Sequence, residues 1–165
     1  MSLLKITGGI LAAIISSASA AEAQTTISQE QAAALVKPIY AALTATSSSD
    51  MRAFLEKATT EDWQNCATND SCETRDETIA RWSGRITRVP DFTFEIQEVL
   101  VSGSKIIVRS QATGTPSDPF MGVATDGRSF HLMTVDIHEV SDGKIIRTYH
   151  VEDWSRALRQ LKGEM

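Results

Sequence analysis

Most of the short motifs that announce a reaction are missing from this 165-residue chain. No G-x-S-x-G, H-E-x-x-H or glycine-rich phosphate loop occurs, so a nucleophile elbow, a zinc-protease helix and a P-loop have no sequence basis. Basic residues form neither cluster nor stripe, and 16 Lys and Arg are outnumbered by 21 Asp and Glu. A nucleic-acid partner is therefore not expected. Nothing repeats internally, and the one low-complexity patch, residues 44–49, reads as a loop. Beyond the first two dozen residues no apolar run approaches the ~20 residues needed to cross a bilayer.

Cysteine is scarce too. Cys66 and Cys72 stand six positions apart in QNCATNDSCE. The spacing is not C-x-x-C and no cation flanks either thiol, which argues against a redox-active pair. The intervening Ala-Thr-Asn-Asp-Ser is turn-forming, so the chain can fold back and join the sulfurs. In an oxidising compartment the expected outcome is a structural disulfide, contributing about 2 kcal/mol for so short a loop.

Residues 1–23 carry the pattern of a secretory signal peptide. Lys5 gives a positive start, residues 10–15 (ILAAII) an apolar centre, and small residues follow. Cleavage after Ala20 or after Ala23 fits equally, each closing an A-x-A triplet. No cysteine sits there to take a lipid, and the apolar run is too short for an anchor. The expectation is a periplasmic or secreted protein without a membrane anchor after cleavage. Residues 24–165 then suffice for one domain with one core.

Helical signals come first. Ser28 with Gln31 makes a capping box before Leu35, Val36, Ile39, Tyr40 and Leu43, which recur at helical spacing. Pro38 inside that run should kink it or mark a helix start. Asp50 can cap a second short helix with Met51, Phe54 and Leu55, and Thr60 a helical turn over residues 61–67 with Trp63 inward. Thr74 and Glu77 form another capping box, ahead of Ile79, Trp82, Ile86 and Val89, and Pro90 stops that helix.

From Asp91 the period becomes alternating. Phe92, Phe94 and Ile96 share one strand face, and Ile106, Val108, Ser110 and Ala112 share a face of the next. A Pro/Gly/Asp-bearing loop over residues 115–127 leads to a long hairpin around Asp142-Gly143. A last helix follows, capped by Asp153, with Trp154, Leu158 and Leu161 inward. Helices, an antiparallel meander and a closing helix argue an α+β domain with helices on one sheet face.

The hairpin carries the candidate chemistry. One face would hold Thr134, Asp136, His138, Thr148 and His150; the other Met133, Val135, Ile137, Ile145, Tyr149 and Val151. With a three-residue Ser141-Asp142-Gly143 loop, Val140 pairs with Lys144 and Asp136 lies diagonal to His150 on one face. A two-residue turn would put the two on opposite faces. Facing each other, the carboxylate raises the imidazole's pKa and burial lowers it, a balance that would hold His150 near neutrality as a general base. The bland alternative is a buried pair satisfying itself on a curved sheet.

His138 shares the face, so Asp136, His138 and His150 would also suit a two-His-one-carboxylate metal site, although no other ligand motif supports a metal. Trp82 is either core or pocket wall. Phe120 and Met121 are either a lid or a cover for the end of the sheet.

Residues 79–161 resemble the SnoaL-like polyketide cyclases and predicted ester cyclases of the nuclear transport factor 2-like superfamily. The resemblance rests on Trp82, FTFEIQEVLVSGSKIIVRSQATGT, PFMGVATDGRSF and above all VDIHEVSDGKIIRTYHVEDW. It implies a cone-shaped barrel: a strongly bent antiparallel sheet packed on amino-terminal helices around an apolar cavity, closed by a carboxy-terminal helix. It also implies homodimers built on the outer sheet face, through Met133, Val135, Ile137, Tyr149 and Val151. In the characterised cyclases an acid/base aspartate follows the aromatic of the last strand, with a histidine on the preceding strand; here His150 and Asp136 hold those places, with the residue types exchanged.

The expected function is binding of a small apolar carbonyl compound, with cofactor-free acid/base chemistry of the cyclase, isomerase or ester/lactone type. His150 is the expected base, Asp136 its orienting partner, and His138 and Thr134 auxiliary contacts. The competing expectation is a non-catalytic ligand-binding or dimeric interaction module. An open cavity at His150 within reach of Asp136 favours the enzyme.

Overall fold

The computed structural model describes residues 27–165; the expected signal peptide, residues 1–23, lies outside them. Helix α1 (Gln29–Leu43) starts at the Ser28/Gln31 capping box and runs through Pro38 without ending. Its buried face presents Val36, Ile39, Tyr40 and Leu43. Helix α2 (Ser48–Ala58) buries Met51 and Leu55. Its cap is Ser47, not the expected Asp50: the Ser47 hydroxyl accepts from the Asp50 amide, and Asp50 sits in the first turn, where its charge suits the helix dipole.

Where helical spacing predicts a turn over residues 61–67, the chain forms strand β1 (Thr59–Cys66). The reason lies far away in sequence. Residues 64–66 pair in parallel with Arg147, Thr148 and Tyr149 of the last strand, whose edge would otherwise stand open. Trp63 is inward as expected, 1% exposed. Strand β2 (Cys72–Thr74) returns antiparallel to β1 with Cys72 directly opposite Cys66, and the two are disulfide-bonded.

Helix α3 (Arg75–Arg88) begins at the Thr74/Glu77 capping box and ends at Val89, before Pro90. Strands β3 (Thr93–Ser102), β4 (Lys105–Gly114), β5 (Phe130–Ser141) and β6 (Lys144–Glu152) form an antiparallel meander, and α4 (Trp154–Lys162) closes the chain with Asp153 as N-cap. The six strands lie in the order β2-β1-β6-β5-β4-β3. The result is the expected α+β fold, a curled open sheet packed on helices, with one parallel pairing, β1 to β6, inside an otherwise antiparallel sheet.

Two bulges bend the β3–β6 meander: Gln97 on β3 and Ile146 on β6 stand outside the pairing. The second one decides the site. The hairpin closes with a two-residue turn, Asp142 (φ 49°) and Gly143 (φ 73°), with Ser141 opposite Lys144. That is the primed turn an Asp-Gly pair favours, not the three-residue loop on which the expected pairing depended. Alone it would have sent Asp136 and His150 to opposite faces. The bulge adds one residue, however, and reverses parity again.

Asp136 is therefore directly opposite His150, His138 opposite Thr148 and Thr134 opposite Glu152. The bulge also turns Ile145 into the core, 0% exposed, where alternation had placed it outside.

Candidate functional site

Inside the cupped sheet the face of β5 and β6 is polar and closed. Thr134, Asp136, His138 and Thr148 are all buried there, as the alternation predicts. Two residues from elsewhere complete a hydrogen-bonded chain. Tyr40, on α1, donates its hydroxyl proton to Asp136 Oδ2 at 2.9 Å and lies 3.1 Å from His138 Nε2. Trp63, on β1, donates its indole N–H to Thr148 Oγ1 at 3.1 Å, and Thr148 Oγ1 lies 2.9 Å from His138 Nδ1.

The proton positions follow from counting donors. The single Tyr40 proton is committed to Asp136, so His138 Nε2–H donates to the Tyr40 oxygen. His138 Nδ1 then accepts from the Thr148 hydroxyl. His138 is the neutral tautomer, and burial pushes its pKa down to about 4 despite the nearby Asp136. Burial and the neighbouring Asp136 carboxylate likewise push the Tyr40 phenol well above its ordinary value.

His150 stands at the other side of Asp136. Its Nδ1–H donates to Asp136 Oδ1 at 2.5 Å, and its Nε2 lies 3.2 Å from Glu152 Oε1. Glu152 in turn accepts the Trp154 indole N–H at 2.6 Å. Burial disfavours the imidazolium, but hydrogen bonds to Asp136 and Glu152 and their charges outweigh it and raise the His150 pKa to about 10. Asp136 shows the reciprocal effect: burial opposes its ionisation, yet His150, His138 and Tyr40 together hold its pKa below the ordinary carboxylate value. At neutral pH His150 is an imidazolium beside the ionised Asp136, with Glu152 on its other ring nitrogen. The expected balance near neutrality does not hold, because a second carboxylate embraces the ring.

A cavity of about 520 Å³ opens against His150 and Glu152, within the ~300–1,000 Å³ range of small-molecule sites. Leu43, Trp82, Val89, Phe92, Phe120 and Phe130 form apolar wall, and Arg81, Arg85 and Arg88 of α3 add a basic strip. Trp82 is thus a pocket wall. Phe120 is both wall and cover: it stacks on Phe130 at 6.4 Å and packs against Trp154 at 5.8 Å. Met121 lines the cavity while remaining 58% exposed.

Asp136, His138, Thr134 and Thr148 do not line the cavity; of the auxiliary contacts expected, those of His138 and Thr148 are with protein, and the buried Thr134 hydroxyl has no hydrogen-bond partner. His138 spends both ring nitrogens on Tyr40 and Thr148, which leaves it no lone pair for a metal shared with Asp136 and His150.

Tyr40, Trp63 and the α3 arginines escape a reading confined to one hairpin, and Glu152, at that hairpin's end, escapes it too. Glu152 alone had a visible signal, lying two residues beyond His150 on the same strand face. Tyr40 and Trp63 read as core because their apolar rings dominate the local pattern, and nothing local marks their polar ends as bonded.

The family model for SnoaL-like polyketide cyclases matches residues 36–161. No curated protein matches the chain by sequence. Among solved structures, IdmH from Streptomyces antibioticus is 26% identical with a TM-score of 0.66, the match covering 79% of this chain and 98% of that one. TsrD from Streptomyces laurentii superposes with a TM-score of 0.68 at 19% identity over 81% of this chain and 96% of its own. An LEH-like epoxide hydrolase of M. tuberculosis shares the fold at 15% identity, with a TM-score of 0.58 over 80% of this chain and 90% of its own.

Proposed function

For a chain that belongs to the SnoaL-like polyketide cyclase family, we propose a cofactor-free acid/base role on a small, largely apolar carbonyl compound held in the cavity beside His150. The observation that carries this is the order of groups at the cavity wall: a wall carboxylate, Glu152, then the imidazolium of His150, then the buried carboxylate of Asp136. A wholly structural pair would not open onto a ligand-sized space.

The roles follow from protonation. His150 enters the reaction charged, so at neutral pH it is the acid of the site and not the base first expected of it. A carbonyl oxygen seated at Nε2 would replace Glu152 as the acceptor of that N–H and be polarised by it. Glu152, released from the ring, is then the base within reach. It takes the proton from the carbon next to the carbonyl, and the enolate oxygen is held by the imidazolium. The enolate carbon can attack a second carbonyl of the same molecule, forming a carbon–carbon bond, and the new alkoxide takes the proton back from the protonated pair. Asp136 keeps its charge throughout and fixes the ring.

Two further expectations stand as proposals. The signal-like residues 1–23 and the disulfide both suit a periplasmic or secreted protein. The outer face of β3 to β6 suits a homodimer, because Leu100, Ile107, Ile137 and Tyr149 stand side by side across four strands.

The test is proton exchange. Wild-type protein should accelerate loss of the α-protons of 2-tetralone into D2O, followed by NMR, and Glu152→Gln should lose that acceleration while keeping its melting temperature. Exchange no faster than in buffer, or equally fast in Glu152→Gln and His150→Gln, would leave the cavity as a binding site without chemistry.

A further inference from the structure

Helix α3 brings three arginines to the cavity at i, i+4 and i+7, a single stripe on one helix face. They differ in what answers their charge. Arg81 is neutralised by Glu73, its Nε–H meeting the two carboxylate oxygens at 2.8 and 2.9 Å. Arg85 and Arg88 have no carboxylate partner among the described residues.

Arg85 lies 4.6 Å from the centre of the Phe92 ring and donates to the Ala45 carbonyl at 3.2 Å, while its Nε is buried without an acceptor. Burial lowers its pKa, as befits a cation taken partly out of water with no counter-ion. Arg88 folds back along the helix and donates Nε–H to the Gly84 carbonyl at 2.9 Å. A Cβ at position 84 would come within 2.8 Å of the Arg88 guanidinium. Glycine inside a helix is less stable than alanine, and here the space it leaves is filled by that guanidinium.

We propose that Arg85 and Arg88 form an anion subsite in the cavity wall, so that the ligand is an apolar molecule bearing a carboxylate. The inference rests on the reading of this cavity as a ligand site. Charge decides between anions. With Arg81 offset by Glu73, the cavity wall holds Arg85, Arg88 and His150 against Glu152, with Asp136 behind His150; that leaves one surplus positive charge, which a monoanion matches and a phosphate, carrying roughly −1.5 to −2, exceeds. The surplus is local, since the whole chain carries a net charge of −5. The partly buried Arg85 guanidinium without a counter-ion is costly, the exposed Arg88 stands one turn along the same face, and a carboxylate offers a guanidinium two parallel acceptors. The ligand would then lie with its carboxylate on α3 and its carbonyl at His150.

The experiment is calorimetric titration with matched pairs: benzoate, naphthalene-2-carboxylate and octanoate, each against its methyl ester. At least one acid should bind roughly tenfold tighter than its ester, the difference expected of a charge-assisted pair. That preference should shrink as salt is raised. Arg85→Met and Arg88→Met should each remove most of the preference while leaving ester binding intact. Gly84→Ala should weaken the acid while raising the melting temperature, because it displaces Arg88 and favours the helix.

Equal binding of acid and ester would overturn the subsite and leave the cavity reading in place. Loss of acid and ester alike in the arginine variants would mark those side chains as wall only and overturn it too. Failure of every compound to bind would overturn both the subsite and the cavity reading.

Discussion

Replacing His150 with glutamine should abolish the alkaline slope of this protein's stability. In the folded chain burial is outweighed by Asp136 and Glu152, and the His150 pKa stands at about 10; in the unfolded chain it returns to about 6.5. Between those values the native state binds the extra proton. Stability from this group is thus complete below about pH 6.5 and is lost as pH rises through the folded value. Each tenfold gain in proton affinity is worth about 1.4 kcal/mol, so the effect is on the order of 3–5 kcal/mol. That is a large part of the ~5–15 kcal/mol that holds a domain together.

His138 has the opposite sign. Its folded pKa of about 4 lies below the unfolded one, so its contribution is present above about pH 6.5 and lost as pH falls through the folded value, with a size near ~3 kcal/mol. Together the two histidines predict a dome with its top near pH 6.5. Urea unfolding followed by tryptophan fluorescence across pH 5–9.5 measures it. His150→Gln should be less stable than wild type near neutrality, since Asp136 loses its counter-ion, but flat above about pH 6.5. A wild-type profile that is flat there, or a variant that declines in parallel with it, would refute the assignment of an imidazolium to this position.

Two other outcomes are expected. Replacing Cys66 and Cys72 together with serine should cost about 2 kcal/mol of stability and leave α-proton exchange unchanged, because the bridge closes only the β1–β2 hairpin; loss of exchange would show that the bridge, and not the pairing of β1 with β6, keeps Trp63 in place. Ile137→Lys, at the centre of the apolar row and flanked by Ile107 and Tyr149, should convert a dimer to a monomer by sedimentation velocity with no change in ligand binding; an unchanged mass would place any dimer contact elsewhere.

What was legible in the sequence was what neighbours in sequence determine. Both capping boxes, the Asp153 cap, the inward row on β4 and the closing helix follow from local spacing. The failures share a non-local cause. Residues 59–66 become a strand because the edge of β6 offers partners some eighty positions away. The hairpin register could not be read because two irregularities, a short turn and the Ile146 bulge, cancel in their effect on parity. The polar face was therefore right by compensation, with pairs one step from those expected. The protonation of His150 was hidden for a different reason: it depends on Glu152, whose place two residues along the same strand face is visible in the sequence but whose approach to the ring nitrogen at 3.2 Å is not.

The exchange of residue types relative to the pattern that the resemblance implies now has a physical reading. Putting histidine after the aromatic of the last strand moves the imidazole to the cavity and sends the aspartate behind it, which would leave the cavity without an acidic or basic oxygen. Glu152 restores one. Because strand residues alternate faces, position 152 lies beside position 150, and the Trp154 indole N–H holds its carboxylate in place at 2.6 Å. The two carboxylates differ in burial: Asp136 is enclosed and Glu152 half-buried at the cavity wall. Asp136, anchored by Tyr40 and 3% exposed, holds the ring from behind, whereas Glu152 stands at the cavity wall, where the proposed reaction would have it exchange the proton. In the proposed reaction that unequal access to the cavity would divide the work of the two carboxylates.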